Sequence, residues 1–409
     1  MNHTPLSERI HIGIFGKRNA GKSSILNAIT GQNLAIVSDV KGTTTDPVLK
    51  TMEILPLGPI VLIDTPGLDD EGELGELRKK KAYQMLNKSD VALVVVDGKS
   101  GMTAEDENII ESIREKRIPC IVVYNKKDLI ADDGACRLAN LQEHGSVGNS
   151  TDCVWVSATT GENIEELKRM IANVIPKADV HKPIIGDLIK PLDFVVLVVP
   201  IDGSAPKGRL ILPQQQTIRD ILEARAVPVV VKDTELKDIL RKLQVPPSLV
   251  VTDSQVFGKV AQIVPKDVPL TSFSILMARY KGDLKTVVRG ANALDDLQDG
   301  DTVLISEGCT HHRQCEDIGT VKLPKWIQEY TGKDIHFAFT SGTEFPDDLS
   351  MYKLVIHCGG CMLNEREMKY RLKCAEDMNI LMINYGTAIA HMKGILKRSI
   401  EIFEKGEKL

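Results

Sequence analysis

The 409 residues are 43% hydrophobic and 26% charged with a net charge of −5, the balance of a globular chain too long for one ordinary core. At about 150 residues per domain, two or three domains are expected. The absence of a Lys/Arg-rich block argues against nucleic acid as a partner, and no apolar run approaches the ~20 residues of a membrane helix. The opening MNHTPLSERIHIGIFG has no basic flank, apolar stretch and small-residue cleavage site, so the expected compartment is the cytoplasm. There the eight cysteines read as buried thiols or metal ligands, not as a disulfide framework.

Short β-rich runs alternate with helical patterns from the start: Ile12–Phe15, Ile60–Ile63, Val91–Val96, Ile121–Tyr124 and Val154–Val156. The expected fold is α/β, with repeated βαβ units and a parallel sheet covered on both faces. Val48–Leu55 and Ile60–Ile63 flank a Leu-Gly-Pro turn and predict one antiparallel hairpin at the sheet edge. A helix over Glu162–Val174 closes the first domain, residues 1–178, and the Pro- and Gly-bearing stretch Ile175–Asp187 reads as a linker. A small middle α/β domain, 185–268, follows with runs at Phe194–Ile201, Val227–Val231 and Leu249–Val251. The third part, 269–409, has runs at Val303–Ser306, Ile335–Phe339, Leu354–Ile356 and Ile380–Ile383, then one long amphipathic helix, Ala388–Glu404.

The first run ends in GKRNAGKS, Gly16–Ser23, ahead of a helix, which is the context a phosphate loop requires. Its backbone N–H groups can wrap phosphates, Lys22 can reach the β and γ oxygens, and Ser23 can give a hydroxyl to Mg²⁺. DTPG, Asp64–Gly67, ends another run, placing Asp64 toward the magnesium and the Gly67 N–H toward the γ-phosphate. NKKD, Asn125–Asp128, supplies a carboxylate that can accept both N1–H and the exocyclic amine of guanine, and SAT, Ser157–Thr159, can donate a backbone N–H to O6. In KGTTTD between the first two motifs, Thr44 is the natural magnesium ligand of a switch. Each motif alone is an ordinary strand-to-helix turn; all in this order specify guanine nucleotide. The nucleotide and cation site is thus expected from Gly16, Asn19, Ala20, Gly21, Lys22, Ser23, Ser24, Thr44, Asp64 and Gly67, and the base site from Asn125, Lys126, Asp128, Ser157 and Ala158. Lys22, Thr44, Gly67 and Asp70 are the candidate catalytic residues.

After DTPG stands Leu68, which has no group to orient the attacking water; Asp70 is the candidate for that task, with Asp69 behind it. Asn19, with the run Asp39–Asp46, resembles GTPases related to the tRNA-modifying protein MnmE. That resemblance implies that Asn19 helps hold K⁺ where an arginine finger would lie, offsetting charge between the β and γ phosphates.

Two later runs end in cysteine motifs: CTHHRQCE, Cys309–Glu316, after Val303–Ser306, and HCGGC, His357–Cys361, after Leu354–Ile356. If these strands are parallel in one sheet, both loops emerge at its carboxyl edge, where such sheets assemble ligand sites. A helix starting near Leu363 would aim its positive end at the thiols and lower their pKa. A thioredoxin-like dithiol leaves Cys309 idle; zinc and an iron–sulfur cluster both suit three thiolates, and spacing does not separate them. Cys120 and Cys153 read as core thiols, Cys136 and Cys374 have no partner pattern, and Cys315 is close enough to Cys309 to be a spare ligand, though the less favoured choice.

A MnmE-like GTPase followed by a small α/β domain, C-T-H and H-C-G-G-C resembles the HydF family, GTPases that mature FeFe-hydrogenases. PKGRLILPQ (Pro206–Gln214), ARYKGDL (Ala278–Leu284) and NYGTAIAHMKGIL (Asn384–Leu396) extend that resemblance along the chain. It implies a 4Fe–4S cluster on Cys309, Cys358 and Cys361, with His311, His357 and Glu316 as candidates for an exchangeable fourth position. It also implies a homodimer formed through the middle domain. The implied role is a scaffold that receives a diiron subcluster precursor from radical-SAM maturases and passes it to immature hydrogenase. The rival class is an RNA- or ribosome-associated GTPase with a zinc-stapled accessory domain.

Overall fold

The computed structural model describes residues 4–31, 47–54, 58–68, 72–130, 152–175, 182–201, 210–308, 317–342 and 344–404. It separates into two compact units, Met1–Val180 and His181–Leu409. Among the described residues no helix is long and apolar enough to cross a membrane.

In the first unit β1 (Ile10–Phe15), β2 (Val48–Ile54), β3 (Gly58–Asp64), β4 (Val91–Asp97), β5 (Cys120–Asn125) and β6 (Asp152–Trp155) form one sheet in the order β2-β3-β1-β4-β5-β6. β2 pairs with β3 antiparallel at the edge, as the Leu-Gly-Pro turn predicts, and the other pairings are parallel. Side chains alternate between the faces: Ile12 and Ile14 pack with Leu26, Ile29 and Leu167, while Phe15, Val61 and Val94 pack with Leu86 and Ile113. The parallel strands are buried on both faces, which is why they read as continuous apolar runs. All these pairings send the strand ends after β1, β3 and β5 to one edge of the sheet.

The second unit holds two four-stranded parallel sheets. The first has the order β10-β9-β7-β8, from β7 (Phe194–Val198), β8 (Val227–Val231), β9 (Leu249–Thr252) and β10 (Leu270–Ser272). The second has the order β12-β11-β13-β14, from β11 (Thr302–Glu307), β12 (His336–Ser341), β13 (Leu354–His357) and β14 (Leu381–Asn384). One continuous apolar core runs through both, joining Val195, Leu197 and Val250 to Val303, Ile305 and Ile356. The helix Phe273–Lys281 lies inside it and buries Phe273, Ile275, Leu276, Met277 and Ala278. Its apolar residues face that core, while Arg279 turns outward to pair with Asp187. Each of the larger of these side chains, Phe273, Ile275, Leu276 and Met277, contributes about 1.5–3 kcal/mol on leaving water.

Two expectations change. Residues 270–272 complete the first sheet of this unit, although the pattern gives only three apolar runs there. The single helix expected over Ala388–Glu404 is two helices, Tyr385–Met392 and Leu396–Glu404, because Gly394 sits at φ +66 and ends the first.

Candidate functional site

The phosphate loop leaves β1 and enters the helix Lys22–Thr30, with Asn19 at φ 60 and Gly21 at φ 94. Gly21 is required twice over, since a Cβ there would also stand 2.1 Å from Asn125 Nδ2. Lys22 is buried, and its Nζ donates to the carbonyls of Gly16 at 2.8 Å and Lys17 at 2.7 Å, so the ammonium draws the loop into a ring around itself. Ser23 Oγ donates to Asp64 Oδ2 at 2.8 Å. Asp64 is 2% exposed and its Oδ1 finds no hydrogen-bond partner among the described residues. Burial raises its pKa, against the opposing pull of the Ser23 bond and the Lys22 charge. A buried carboxylate oxygen without a donor costs about 1–3 kcal/mol. A hydrated divalent cation beside Ser23 removes that cost, so the residues present fit Mg²⁺.

Gly67 packs against Arg18 of the phosphate loop, and a Cβ on it would lie 3.0 Å from the Arg18 backbone N. Thr65 anchors the same turn through its hydroxyl to the Ile14 carbonyl at 2.7 Å. Leu68 is 3% exposed and belongs to the core with Phe15 and Val61, so its apolar side chain is needed where it is. Thr44, Asp69 and Asp70 lie outside the described residues.

At the end of β5 Asn125 does something the motif does not announce. Its Nδ2 donates to the Ala20 carbonyl at 3.0 Å, and its Oδ1 accepts the Ala158 N–H at 3.1 Å. This one amide ties the phosphate loop to the SAT loop, and in doing so it occupies one of the backbone N–H groups that loop could offer guanine O6. Asp128 Oδ1 accepts the Ser157 hydroxyl at 2.5 Å, which orients the carboxylate. Lys126 sits at φ 66 and pairs with Asp97 Oδ2 at 2.6 Å. Ser24 is on the first turn of the helix after the loop.

In the second unit β11 and β13 are adjacent and parallel, with Ser306 opposite His357, so the loops carrying the two cysteine motifs leave one edge. Cys358 N–H donates to the Ser306 carbonyl at 2.9 Å, and Cys358 Sγ accepts the N–H of Gly308 at 3.1 Å and of Gly360 at 3.4 Å. Gly308 is the residue before Cys309. Gly360 turns the chain back at φ 64, where a Cβ would meet Met368 Sδ at 2.5 Å. Lys281 is 2% exposed, and its Nζ donates to the carbonyls of Cys361 at 3.1 Å and Leu363 at 2.9 Å, holding the turn from below. Thiols aimed into backbone N–H groups on a glycine turn suit a thiolate-bound metal or cluster.

The helix after the motif does not lower the thiol pKa values as expected. It spans Glu365–Asp377, and Asn364 caps it by accepting the Glu367 N–H at 3.0 Å. Burial dominates instead: it pushes Cys358 up to about 11 and raises Cys361, with the Gly308 N–H and the Lys281 charge acting in opposition. Cys309, His311, Cys315 and Glu316 lie outside the described residues, as does Cys136. Among the described residues no group of three His, Cys, Asp or Glu side chains is gathered as a metal site.

His357 is fully buried, and both ring nitrogens are engaged. Nδ1 lies 2.8 Å from the Cys358 carbonyl and Nε2 lies 3.0 Å from Arg371 Nη1. Burial first, then the Arg371 charge, lower its pKa to about 3, so the ring is neutral at any physiological pH. To ligate a metal it would have to surrender one of these contacts. Cys153, expected in the core, is exposed on the edge strand β6, while Cys120 is half-buried.

Comparison with known proteins extends this picture. Residues 11–126 match the family described as 50S ribosome-binding GTPase. The tRNA modification GTPase MnmE of Moorella thermoacetica is 39% identical over 176 residues, 42% of this chain and 36% of that protein. The MnmE of Nitrosomonas eutropha is 33% identical over 171 residues, again 42% and 36%. The chain thus spans about a third of the length of the curated relatives it matches. Among solved structures, a variant of Era from Aquifex aeolicus bound to GDP and aluminium fluoride aligns at 24% identity over 56% of this chain and 97% of that one, with a TM-score of 0.38.

The first unit is a P-loop GTPase domain, and what distinguishes the chain is the unit joined to it. Residues 184–282 match the Hydrogen maturase F dimerization domain and residues 285–402 the Hydrogen maturase F tetramerization domain, between them more than half of the chain. The chain belongs to the hydrogen maturase F, or HydF, family.

Proposed function

We propose that this protein is a GTP-hydrolysing scaffold that carries a 4Fe–4S cluster and assembles or delivers the diiron subcluster precursor of FeFe-hydrogenase. The observation that carries this reading is the contact of the Gly308 N–H with Cys358 Sγ. It joins the strand leading to Cys309 with the turn bearing Cys358 and Cys361. Those three cysteines would hold the cluster, which would supply an iron site open to a second metal unit. The fourth-ligand candidates remain His311, His357 and Glu316, and His357 has both ring nitrogens engaged. The radical-SAM maturases would supply the precursor and immature hydrogenase would receive it. Residues 1–178 would bind nucleotide, 185–268 would dimerise and 269–409 would carry the cluster. The edge strand β8, with Val227 37% and Val230 44% exposed, is where a second copy would add. No nucleic acid or membrane partner enters, and the cytoplasm remains the expected compartment.

Hydrolysis is attack of water on the γ-phosphorus with cleavage of the β,γ bridge. Lys22 would leave the Gly16 and Lys17 carbonyls for the phosphate oxygens, and Ser23, Asp64 and Thr44 would hold Mg²⁺, which neutralises phosphate charge. Leu68 is committed to the core, so Asp70, or Asp69, would orient the water. Asn19, held at φ 60 in the loop, would contribute to a K⁺ site. GTP hydrolysis should therefore run faster in potassium chloride than in sodium chloride at equal ionic strength; equal rates would remove K⁺ from the mechanism.

In this reading nucleotide is a switch: GTP orders the loops around Thr44 and Gly67, and hydrolysis releases them and with them a bound partner. Lys22→Ala should lower hydrolysis by at least about 100-fold and reduce hydrogenase activation, while iron and sulfide content stay at wild-type levels. Full activation by that variant would contradict the switch. The anaerobically purified protein should be brown and contain iron with sulfide; a colourless protein with one equivalent of zinc would return the zinc-stapled GTPase.

A further inference from the structure

The largest fully buried side chain among the described residues is an arginine, Arg371. A guanidinium without water needs acceptors on every side. Glu367, one turn earlier on the same helix, takes Nε and Nη2, both at 2.9 Å, and is itself 3% exposed. That pair alone would satisfy a surface helix. Arg371 goes further. Nη2 also donates to the Gly342 carbonyl at 2.8 Å, and Nη1 reaches Ser306 Oγ at 3.3 Å and His357 Nε2 at 3.0 Å. Gly342 follows β12, Ser306 lies in β11 and His357 ends β13, so one side chain gathers the carboxyl ends of three neighbouring strands.

The donor inventory fixes the direction of the chain of contacts. A guanidinium only donates, so His357 Nε2 accepts, and the ring hydrogen is on Nδ1, where it donates to the Cys358 carbonyl at 2.8 Å. The Cys358 N–H is held by the Ser306 carbonyl at 2.9 Å, and Ser306 Oγ accepts the Thr340 hydroxyl at 3.0 Å. Both backbone polar groups of Cys358 are therefore fixed by partners that Arg371 touches.

We propose that Arg371 is a positioning residue for the metal site, acting through His357 and Ser306 to hold the Cys358 backbone, and so its thiolate, in a metal-ready orientation. This rests on the reading of Cys358 and Cys361 as iron–sulfur ligands. A plain core ion pair is the competing role. Such pairs give way to other residues with little loss beyond stability, whereas groups that orient metal ligands set affinity and electronic structure, typically by 10–100-fold in affinity.

The test uses the full chain, reconstituted anaerobically with iron and sulfide, as wild type, Arg371→Lys and His357→Asn. Lysine keeps the charge and loses the fork; asparagine keeps a donor near the Cys358 carbonyl and loses the acceptor for Arg371. Iron loss to a chelator, the electron paramagnetic resonance of the reduced cluster and melting by circular dichroism are read in each. Arg371→Lys should melt as a folded protein, lose iron on the order of tenfold faster and show displaced g values, and His357→Asn should do the same. Wild-type iron retention and spectrum in folded Arg371→Lys would overturn the proposal. So would a nitrogen coupling in wild type that disappears in His357→Asn, since His357 would then be a ligand itself. If Arg371→Lys is not recovered folded, His357→Asn decides alone: faster iron loss without lost nitrogen coupling supports the relay, and unchanged loss overturns it. A wild-type protein that takes up no iron with sulfide would overturn the cluster reading, and the relay with it.

Discussion

Cys358→Ser is expected to yield a folded protein with less than about a tenth of the wild-type iron and sulfide. Cys358 Sγ is the meeting point of both cysteine loops, accepting the N–H of Gly308 from one and of Gly360 from the other. A serine hydroxyl can accept the same two hydrogen bonds, so the local backbone should survive, and the stability cost should stay at about 1 kcal/mol. It cannot supply the anionic sulfur that iron requires, and losing a ligand is more severe than losing a supporting group, which already costs 10–100-fold. Cys374→Ser, in the helix Glu365–Asp377, is the matched control and should retain its iron. Iron and acid-labile sulfide assays with the visible spectrum make the comparison; equal content in both variants would remove Cys358 from the site.

Asp128→Asn is expected to weaken GTP binding by about 100-fold or more and to transfer the preference to xanthosine triphosphate. The carboxylate offers acceptors to N1–H and the exocyclic amine of guanine, and hydrogen bonds to a charged group are each worth about 1.5–3 kcal/mol. Asparagine keeps one acceptor and presents an N–H₂ where guanine also presents one. Xanthine carries a carbonyl oxygen in place of that amine, so the mismatch becomes a match. The Ser157 hydroxyl donates to Asp128 Oδ1 and can continue to do so to the amide oxygen, which keeps the side chain oriented. Affinities for the two nucleotides by calorimetry are the measurement; an unchanged ratio would place Asp128 away from the base.

Much of the fold is legible because burial writes itself into residue type. β1, β4 and β5 are continuous apolar runs since both faces are covered, and each chemical motif stands at a strand end where parallel topology must put it. Asn125 is read as part of a base-recognition motif, yet its bonds to Ala20 and Ala158 couple loops more than thirty residues apart, which no local pattern encodes. Arg371 is hidden for a related reason. Glu367 and Arg371 are spaced as an ordinary surface pair, and only their place on the stripe of Met368, Leu372 and Ala375 marks them as interior. The thiol pKa shifts reverse the expectation because desolvation of Cys358 and Cys361 outweighs any dipole from a helix already capped by Asn364. The break at Gly394 is the case where a single left-handed residue overrides an amphipathic pattern that continues on both sides of it.

The helix Phe273–Lys281 has a consequence for how such a protein is inherited. It fills the core common to both sheets of the second unit, and its last residue, Lys281, reaches the Cys361 turn. A gene fragment that encoded the cysteine-bearing sheet without the sheet before it would remove part of the core in which Phe273 and Leu276 are buried. The two sheets are therefore not interchangeable modules. A truncation between them should expose apolar surface on both halves.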